Sequence, residues 1–308
     1  NGGFICGACR KINEGQGVGV NTNKCSNKNE HHILALSGGK DSAALAVYMK
    51  EKYPKLQMEY VFTDSGCELP ETYEYLNRIR AVLSINIIRI KPKKNWENYW
   101  ARTKVKNTNY GNITFLPSPK NRWCTEVLKL VPYDDWLSKN YPECIIHSYV
   151  GLRADEKRDR KGFVSPKTTI IQHFPFMEDG LIYQDIERLL ISSGLGFPDY
   201  YKWRKRSGCY FCFYQTKKEW LGLYEHHPDL FFKAQKHETP NVGSGTGYTW
   251  CDDISLEELL ERKEQILSEP GQENKGNPRE PAKLSKVLAS FRSTDFSIKR
   301  LREIPDET

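Results

Sequence analysis

An open α/β fold, a parallel sheet with helices on both faces, is what this 308-residue sequence predicts. Three observations carry the prediction. From His32 onward short apolar strands alternate with stretches of helical spacing, the pattern of strand–helix–strand units. The first strand runs directly into a pair of glycines and a helix. No apolar run approaches the ~20 residues a membrane-spanning helix needs.

Residues 1–30 are rich in Gly, Asn, Lys and Cys without an apolar period, and read as an extension ahead of the main domain. Ile33–Leu36 is the first strand, Asp41–Tyr53 a helix with Ala44, Leu45, Val47 and Tyr48 at helical spacing, and Glu59–Thr63 the second strand. Pro70–Leu83 reads as a helix because proline at its first position forfeits no hydrogen bond. Ile85–Ile90 is the third strand.

Residues 91–123 form a basic, aromatic insertion, with Lys91, Lys93, Lys94, Arg102, Lys104, Lys106, Lys120 and Arg122 among Trp96, Tyr99, Trp100, Tyr110 and Trp123. Cations that meet phosphates and rings that stack on bases make it a candidate nucleic-acid surface, with a basic loop over a nucleotide or a solvated loop as the alternatives. A helix at Thr125–Lys139, a strand at Ile145–Leu152, a charged loop at Arg153–Lys161, a strand at Thr168–Phe174 and a helix at Gln184–Ser193 complete the core. Beyond Gly196 come a cysteine region, a helical stretch through Lys236, a glycine-rich loop at Gly243–Gly247 and a helix at Ser255–Leu267. The Pro/Gly/Glu/Lys-rich segment 269–282 reads as a linker. The expected divisions are therefore 1–30, 31–200, 201–268 and 269–308.

Nine cysteines cannot all pair within one chain, and a chain of this size needs no disulfide staples. Nothing at the N-terminus reads as a signal peptide, so a reducing, cytoplasmic location without membrane is expected. Two pairs, Cys6/Cys9 and Cys209/Cys212, have the C-x-x-C spacing with which two thiolates grip one metal. Cys6, Cys9 and Cys25 suggest a zinc site completed by His31 or His32, or else a tail with incidental thiols, whereas Cys144 lies in an apolar strand as a packing residue. The net charge of +7, from 46 Lys and Arg against 39 Asp and Glu, permits a polyanionic partner without naming one.

Ser37-Gly38-Gly39-Lys40-Asp41-Ser42 sits between the first strand and the first helix. Two glycines let the backbone approach an anion, the helix N-terminus offers unpaired N–H groups, and the hydroxyls and lysine add donors, so the segment reads as a pyrophosphate cradle. Its spacing fits neither the Walker P-loop nor the dinucleotide fingerprint.

This hexapeptide resembles the PP-loop of the N-type ATP pyrophosphatases, the superfamily of sulfate adenylyltransferase small subunits, phosphoadenosine phosphosulfate (PAPS) reductases and tRNA or DNA thiolation enzymes. The resemblance extends through Val61-Phe62-Thr63-Asp64-Ser65-Gly66 and Glu68-Leu69-Pro70-Glu71-Thr72, then Arg122-Trp123-Cys124-Thr125 with Lys129 and Pro132. Gly151-Leu152-Arg153 with Glu156 and Arg158, Phe174-Pro175-Phe176 and Ser207-Gly208-Cys209-Tyr210-Phe211-Cys212 follow in the family's order. It implies a Rossmann-like sheet of the HUP, adenine nucleotide alpha hydrolase-like, type. ATP with Mg²⁺ would bind at Ser37, Gly38, Gly39, Lys40, Asp41, Ser42, Thr63, Asp64, Gly151 and Arg153. Lys40, Asp41, Asp64, Arg153 and Arg158 would organise the phosphates and metal while an acceptor is adenylylated and pyrophosphate leaves.

Cys124, Cys209 and Cys212 are, by the same resemblance, ligands of a 4Fe-4S cluster, with Cys251 or Cys67 as a fourth or one iron left open; zinc at the same cysteines and an unmetallated pair are the alternatives. The layout is similar to the ATP pyrophosphatase of bacterial DNA phosphorothioation systems, which implies a nucleic-acid acceptor and a cysteine desulfurase as sulfur donor. Two other readings stay open. One is a sulfonucleotide reductase-like or sulfate-adenylating enzyme, although the reductases' Glu-Cys-Gly-x-His motif is not found and no cysteine follows Cys251. The other is a non-catalytic, zinc-containing nucleic-acid-binding protein.

Overall fold

A computed structural model describes residues 29–97, 116–119, 122–156, 165, 168–238 and 248–269. Five parallel strands lie in the order β3-β2-β1-β4-β5: β1 Glu30–Leu36, β2 Met58–Thr63, β3 Ile87–Ile90, β4 Ile145–Tyr149 and β5 Thr169–His173. The expected parallel α/β sheet is therefore present. Alternation along the strands feeds two cores. Leu34 and Leu36 of β1 and Tyr60 and Phe62 of β2 face one side, where α1 (Lys40–Lys52), α2 (Pro70–Leu83) and α5 (Tyr183–Ser192) cover them. Ile33, Val61, Ile90 and Ile146 face the other side, against Tyr133 and Leu137 of α3 (Val131–Asn140). Helix α1 is buried from Ser42 to Met49, and its run of Ala43, Ala44, Leu45, Ala46 and Val47 suits a helix enclosed all round.

The expected helix over 125–139 is not uniform. A short turn, Trp123–Thr125, runs through a π-helical stretch, Glu126–Leu130, into α3. Pro132 has no N–H to give the carbonyl of Leu128, and the widened turn accommodates that missing bond. Cys124 and Lys129, five residues apart, consequently line the same cavity. Between β5 and α5 lies the short helix α4, Pro175–Glu178.

A third, aromatic core holds the cysteine region with α6 (Lys217–His226), α7 (Pro228–Gln235), α8 (Leu256–Glu261) and α9 (Lys263–Ser268). The single helix expected over 255–267 is two, broken at Arg262. Ser255 and Glu258 form a reciprocal cap at the start of α8, with bonds of 2.8 and 3.2 Å. Trp96 and Trp123 correct another expectation. They are buried, stacked on each other at 5.1 Å, and Trp96 stacks on Phe211 at 3.7 Å, so they anchor the ends of the insertion in this core rather than offering faces to bases. Cys144 is half-buried against the Ile33 core, as a packing residue would be. The remaining insertion residues between 98 and 115, with Cys6, Cys9, Cys25, the 243–247 loop and the 270–282 part of the linker, lie outside the described residues.

Candidate nucleotide and thiol site

The strand order reverses at β1, whose neighbours β2 and β4 are reached by connections running in opposite directions. Ligands of open α/β sheets bind at that switch point, beyond the carboxyl ends of the strands. There the Ser37–Ser42 turn meets the Val150–Arg153 turn, and a cavity of about 800 Å³ opens between them.

The turn is fixed by its own hydroxyls. Ser42 Oγ lies 3.0 Å from Ser37 Oγ, accepts from the Ser37 amide at 3.0 Å and donates to the Gly39 carbonyl at 3.1 Å. Gly38 has φ +72°, and a Cβ there would stand 2.4 Å from the Thr72 methyl. Only glycine combines that conformation with that proximity. Helix α1 starts after Gly39 without a side-chain cap, so its first amides keep the donor capacity that suits an anion.

Charge surrounds the cradle. Asp41 stands 2.9 Å from Lys40 Nζ and 2.7 Å from Arg153 Nη1, and Arg153 also reaches Asp155 at 2.9 Å and Glu156 at 3.3 Å. Burial alone would lower the Arg153 pKa, but Asp41 and the other carboxylates outweigh it and raise it, so the guanidinium stays charged. The Lys40 ammonium also sits 5.5 Å from the ring centres of both Tyr183 and Tyr201. Of the expected nucleotide residues, Ser37, Lys40, Asp41, Ser42, Thr63, Gly151 and Arg153 share this cavity. Arg158 lies outside the described residues.

Asp64 stands apart. It is buried, and its carboxylate accepts from the Gly66 amide at 2.9 Å, Tyr73 Oη at 2.8 Å and Arg89 Nε at 2.8 Å. Burial opposes its ionisation, yet these donors win and hold its pKa below the usual carboxylate value. Asp64 therefore ties the end of β2 to α2 and β3, and Thr63 rather than Asp64 reaches the cavity.

A second cavity of about 430 Å³ shares the wall made by Ser37, Lys40, Asp41, Lys129 and Arg206. Cys124, Cys209 and Cys212 all line it. The Cys209 loop is pinned by a short antiparallel bridge to Glu68, in which the Leu69 amide donates to the Gly208 carbonyl at 2.6 Å and the Tyr210 amide to the Cys67 carbonyl at 3.0 Å. Gly208 rests on the same Thr72 as Gly38, where a Cβ would fall 2.0 Å from Thr72 Oγ1, so one threonine keys both loops. Burial first, then the nearby Glu68 carboxylate, pushes the Cys209 thiol well up, and burial raises Cys124 as well. Cys251 lines a different cavity beside Trp250 and Asp253, where burial pushes its thiol up to about 12. Cys67 is buried beside the Cys209 loop.

Among the described residues no group of three His, Cys, Asp or Glu side chains is gathered tightly enough to hold a metal ion. A different observation speaks for an anionic metal–thiolate group. Arg204 is almost fully buried, donates to the Cys209 carbonyl at 2.8 Å, and leaves Nε and Nη1 without a partner. A buried cation needs a counter-charge, and the Cys209 loop is the segment that Arg204 touches. Three thiols lining one cavity are the donor chemistry that a thiol-held metal group would need. Three further groups escaped the sequence reading as site residues: Lys129, 3.0 Å from the buried Glu68, and the ring pair Tyr183 and Tyr201. Lys129 was legible as part of the Cys124 motif; the tyrosines carried no signal.

Residues 31–205 match the family described as the phosphoadenosine phosphosulfate reductase domain. The chain belongs to that family. Curated relatives include an uncharacterized protein of Methanocaldococcus jannaschii, 32% identical over 42% of this chain and 24% of its own length. A second uncharacterized protein of the same organism is 27% identical over 68% of this chain and 48% of its own length. An uncharacterized nin region protein of Escherichia phage lambda is 26% identical over 42% of this chain and 50% of its own. The chain thus spans half or less of the length of these relatives. Among solved structures, the PAPS reductase of Candida auris in its phosphate complex aligns at 14% identity over 61% of this chain and 84% of that one, with a TM-score of 0.41. The U34-tRNA thiolase NcsA of Methanococcus maripaludis with its [4Fe-4S] cluster aligns at 13% identity over 83% and 78%, with a TM-score of 0.37. Both likenesses are distant. Among the described residues of this PAPS reductase domain protein, no helix is long and apolar enough to cross a membrane.

Proposed function

We propose that this chain is an ATP pyrophosphatase that adenylylates a nucleic-acid acceptor and supports its thiolation. The observation that carries the reading is the shared wall: Ser37, Lys40 and Asp41 face both the switch-point cavity and the cavity lined by Cys124, Cys209 and Cys212. A nucleotide cradle and three thiols on opposite sides of one loop suit a reaction in which activation and sulfur delivery meet at one atom.

In the first step an acceptor oxygen attacks the α-phosphorus of ATP, the bond from that phosphorus to the bridging oxygen breaks, and pyrophosphate leaves. The first amides of α1, with Lys40 and Arg153, neutralise charge that gathers on the departing pyrophosphate, which is electrostatic catalysis by preorganised donors. Asp41 holds both cations in place. In the second step sulfide forms a bond to the activated acceptor atom, the bond to the adenylate oxygen breaks, and AMP leaves. Asp41 and Glu156 are the carboxylates on the nucleotide cavity and both pair with Arg153, so Mg²⁺ would be held chiefly by ATP's own phosphates and water. An iron–sulfur cluster on Cys124, Cys209 and Cys212 would supply a site that holds sulfur, and Arg204 would balance its charge.

Pyrophosphate formation from ATP, stimulated by nucleic acid, with AMP formation when sulfide is also added, and both lost in Ser37→Ala, tests the reading. Stimulation by sulfate alone would instead indicate sulfate activation.

A further inference from the structure

Two arginines and a tyrosine at the mouth of the thiol cavity take no part in the chemistry above. Arg122 precedes the Trp123–Thr125 turn, Arg206 and Tyr214 flank the Cys209–Cys212 loop, and all three line the cavity. The guanidinium carbons of Arg122 and Arg206 lie 5.9 and 5.3 Å from the Tyr214 ring centre. Tyr214 is 38% exposed, and both arginines are exposed.

The surrounding cations are neutralised: Lys40 by Asp41, Lys129 by Glu68 and Lys202 by Asp199. Among the described residues, no carboxylate stands within ion-pair distance of Arg122, Lys205 or Arg206. Unpaired cations around an exposed ring have two complementary uses. Guanidinium groups attract phosphodiesters, and both guanidinium and phenol planes stack on unpaired bases. A folded acidic protein would use the charge but not the ring, and could not enter a cavity of about 430 Å³; a single nucleotide can.

We propose that Arg122, Arg206 and Tyr214 form a clamp for an unpaired stretch of nucleic acid, with phosphates on the guanidiniums and a base against the Tyr214 group. The clamp presents an acceptor oxygen across the thiol cavity to the wall of Ser37, Lys40 and Asp41. This inference rests on the reading of the acceptor as nucleic acid.

The test is fluorescence anisotropy of the full chain without ATP, using labelled single-stranded DNA, single-stranded RNA and duplex DNA of equal length, with inorganic polyphosphate as a ring-free polyanion. Single strands of at least one sugar type are expected to bind about tenfold more tightly than duplex, the DNA and RNA arms identifying which. An R122A/R206A variant should weaken strand binding about tenfold or more and reduce the salt slope by about two. Y214A should weaken it at least about fivefold while leaving polyphosphate binding unchanged, and Y214F should bind like the wild type. Clamp variants that bind strands as tightly as the wild type, duplex bound as tightly as single strands, or polyphosphate binding that falls in parallel with strand binding in Y214A would each overturn the clamp. Pyrophosphate release is measured separately. A chain that grips strands through these residues yet never releases pyrophosphate keeps the clamp and loses the ATP reading; nucleic-acid-stimulated release with normal strand binding by the variants does the reverse.

Discussion

Arg153 Nη1 stands 2.7 Å from Asp41 Oδ1, which ties the turn after β4 to the first turn of α1 across the switch point of the sheet. The same carboxylate holds Lys40 at 2.9 Å, so one acid orients the two cations of the phosphate cradle. Removing it should leave the fold and disorder the cradle. Asp41→Ala is expected to lower kcat/KM for pyrophosphate release about 100-fold, in the range of losing one preorganised electrostatic contact, with an unchanged circular dichroism spectrum. Wild-type rates in Asp41→Ala would remove Asp41 from the site.

Thr72 underlies both glycine turns. Gly38→Ala places a methyl 2.4 Å from the Thr72 methyl at a φ of +72°, so a loss of about 2 kcal/mol is expected in urea unfolding. Thr72→Ser removes the clashing methyl but not the φ strain. The double variant should therefore recover part, not all, of the loss.

Three histidines cross the sheet on adjacent strands. His32 stacks on His147 at 4.7 Å, and His147 on His173 at 5.1 Å. Burial first, then the imidazoles of His147, His173 and His31, hold the His32 pKa down to about 4 from its ordinary 6.5. Between those values the unfolded chain takes up a proton that the folded chain refuses. The contribution is thus intact above pH 6.5 and is lost as pH falls toward about 4, by up to about 3 kcal/mol. Urea unfolding at pH 7.5 and pH 5 should show the loss, and His32→Phe should shrink it; an unchanged pH dependence in that variant would assign the effect elsewhere.

The thiols make unequal predictions. Anaerobically prepared protein should carry iron and sulfide, and single alanine substitutions at Cys124, Cys209 or Cys212 should reduce bound iron to less than about a tenth. Cys251→Ala should retain it, because Cys251 lines another cavity. Arg204→Met, which keeps the volume and removes the buried charge bonded to the Cys209 carbonyl, should weaken iron retention without unfolding the chain. Colourless, zinc-loaded protein would contradict the iron assignment.

What could be read in advance followed from contiguity. The Ser37–Ser42 cradle is one run of sequence, and Pro70 marks the start of α2 where the structure has it. Convergence was harder. The approach of Cys124 to the Cys209 loop rests on the turn widened before Pro132, of which the proline is the one local sign, and on Thr72 beneath Gly208, which has none. Asp64 is a candidate through the family resemblance alone; its donors, Tyr73 and Arg89, come from elements that only the fold brings beside it. Trp96 and Trp123 looked like a binding surface because they stand among lysines, yet the aromatic core around Phe211 claims both.

The most direct test of the central claim is ³¹P NMR of products from ATP, Mg²⁺, single-stranded nucleic acid and sulfide with anaerobically purified protein. Pyrophosphate and AMP in equal amounts, absent in Ser37→Ala, are predicted. ADP with inorganic phosphate, or no turnover with DNA or RNA, would contradict it.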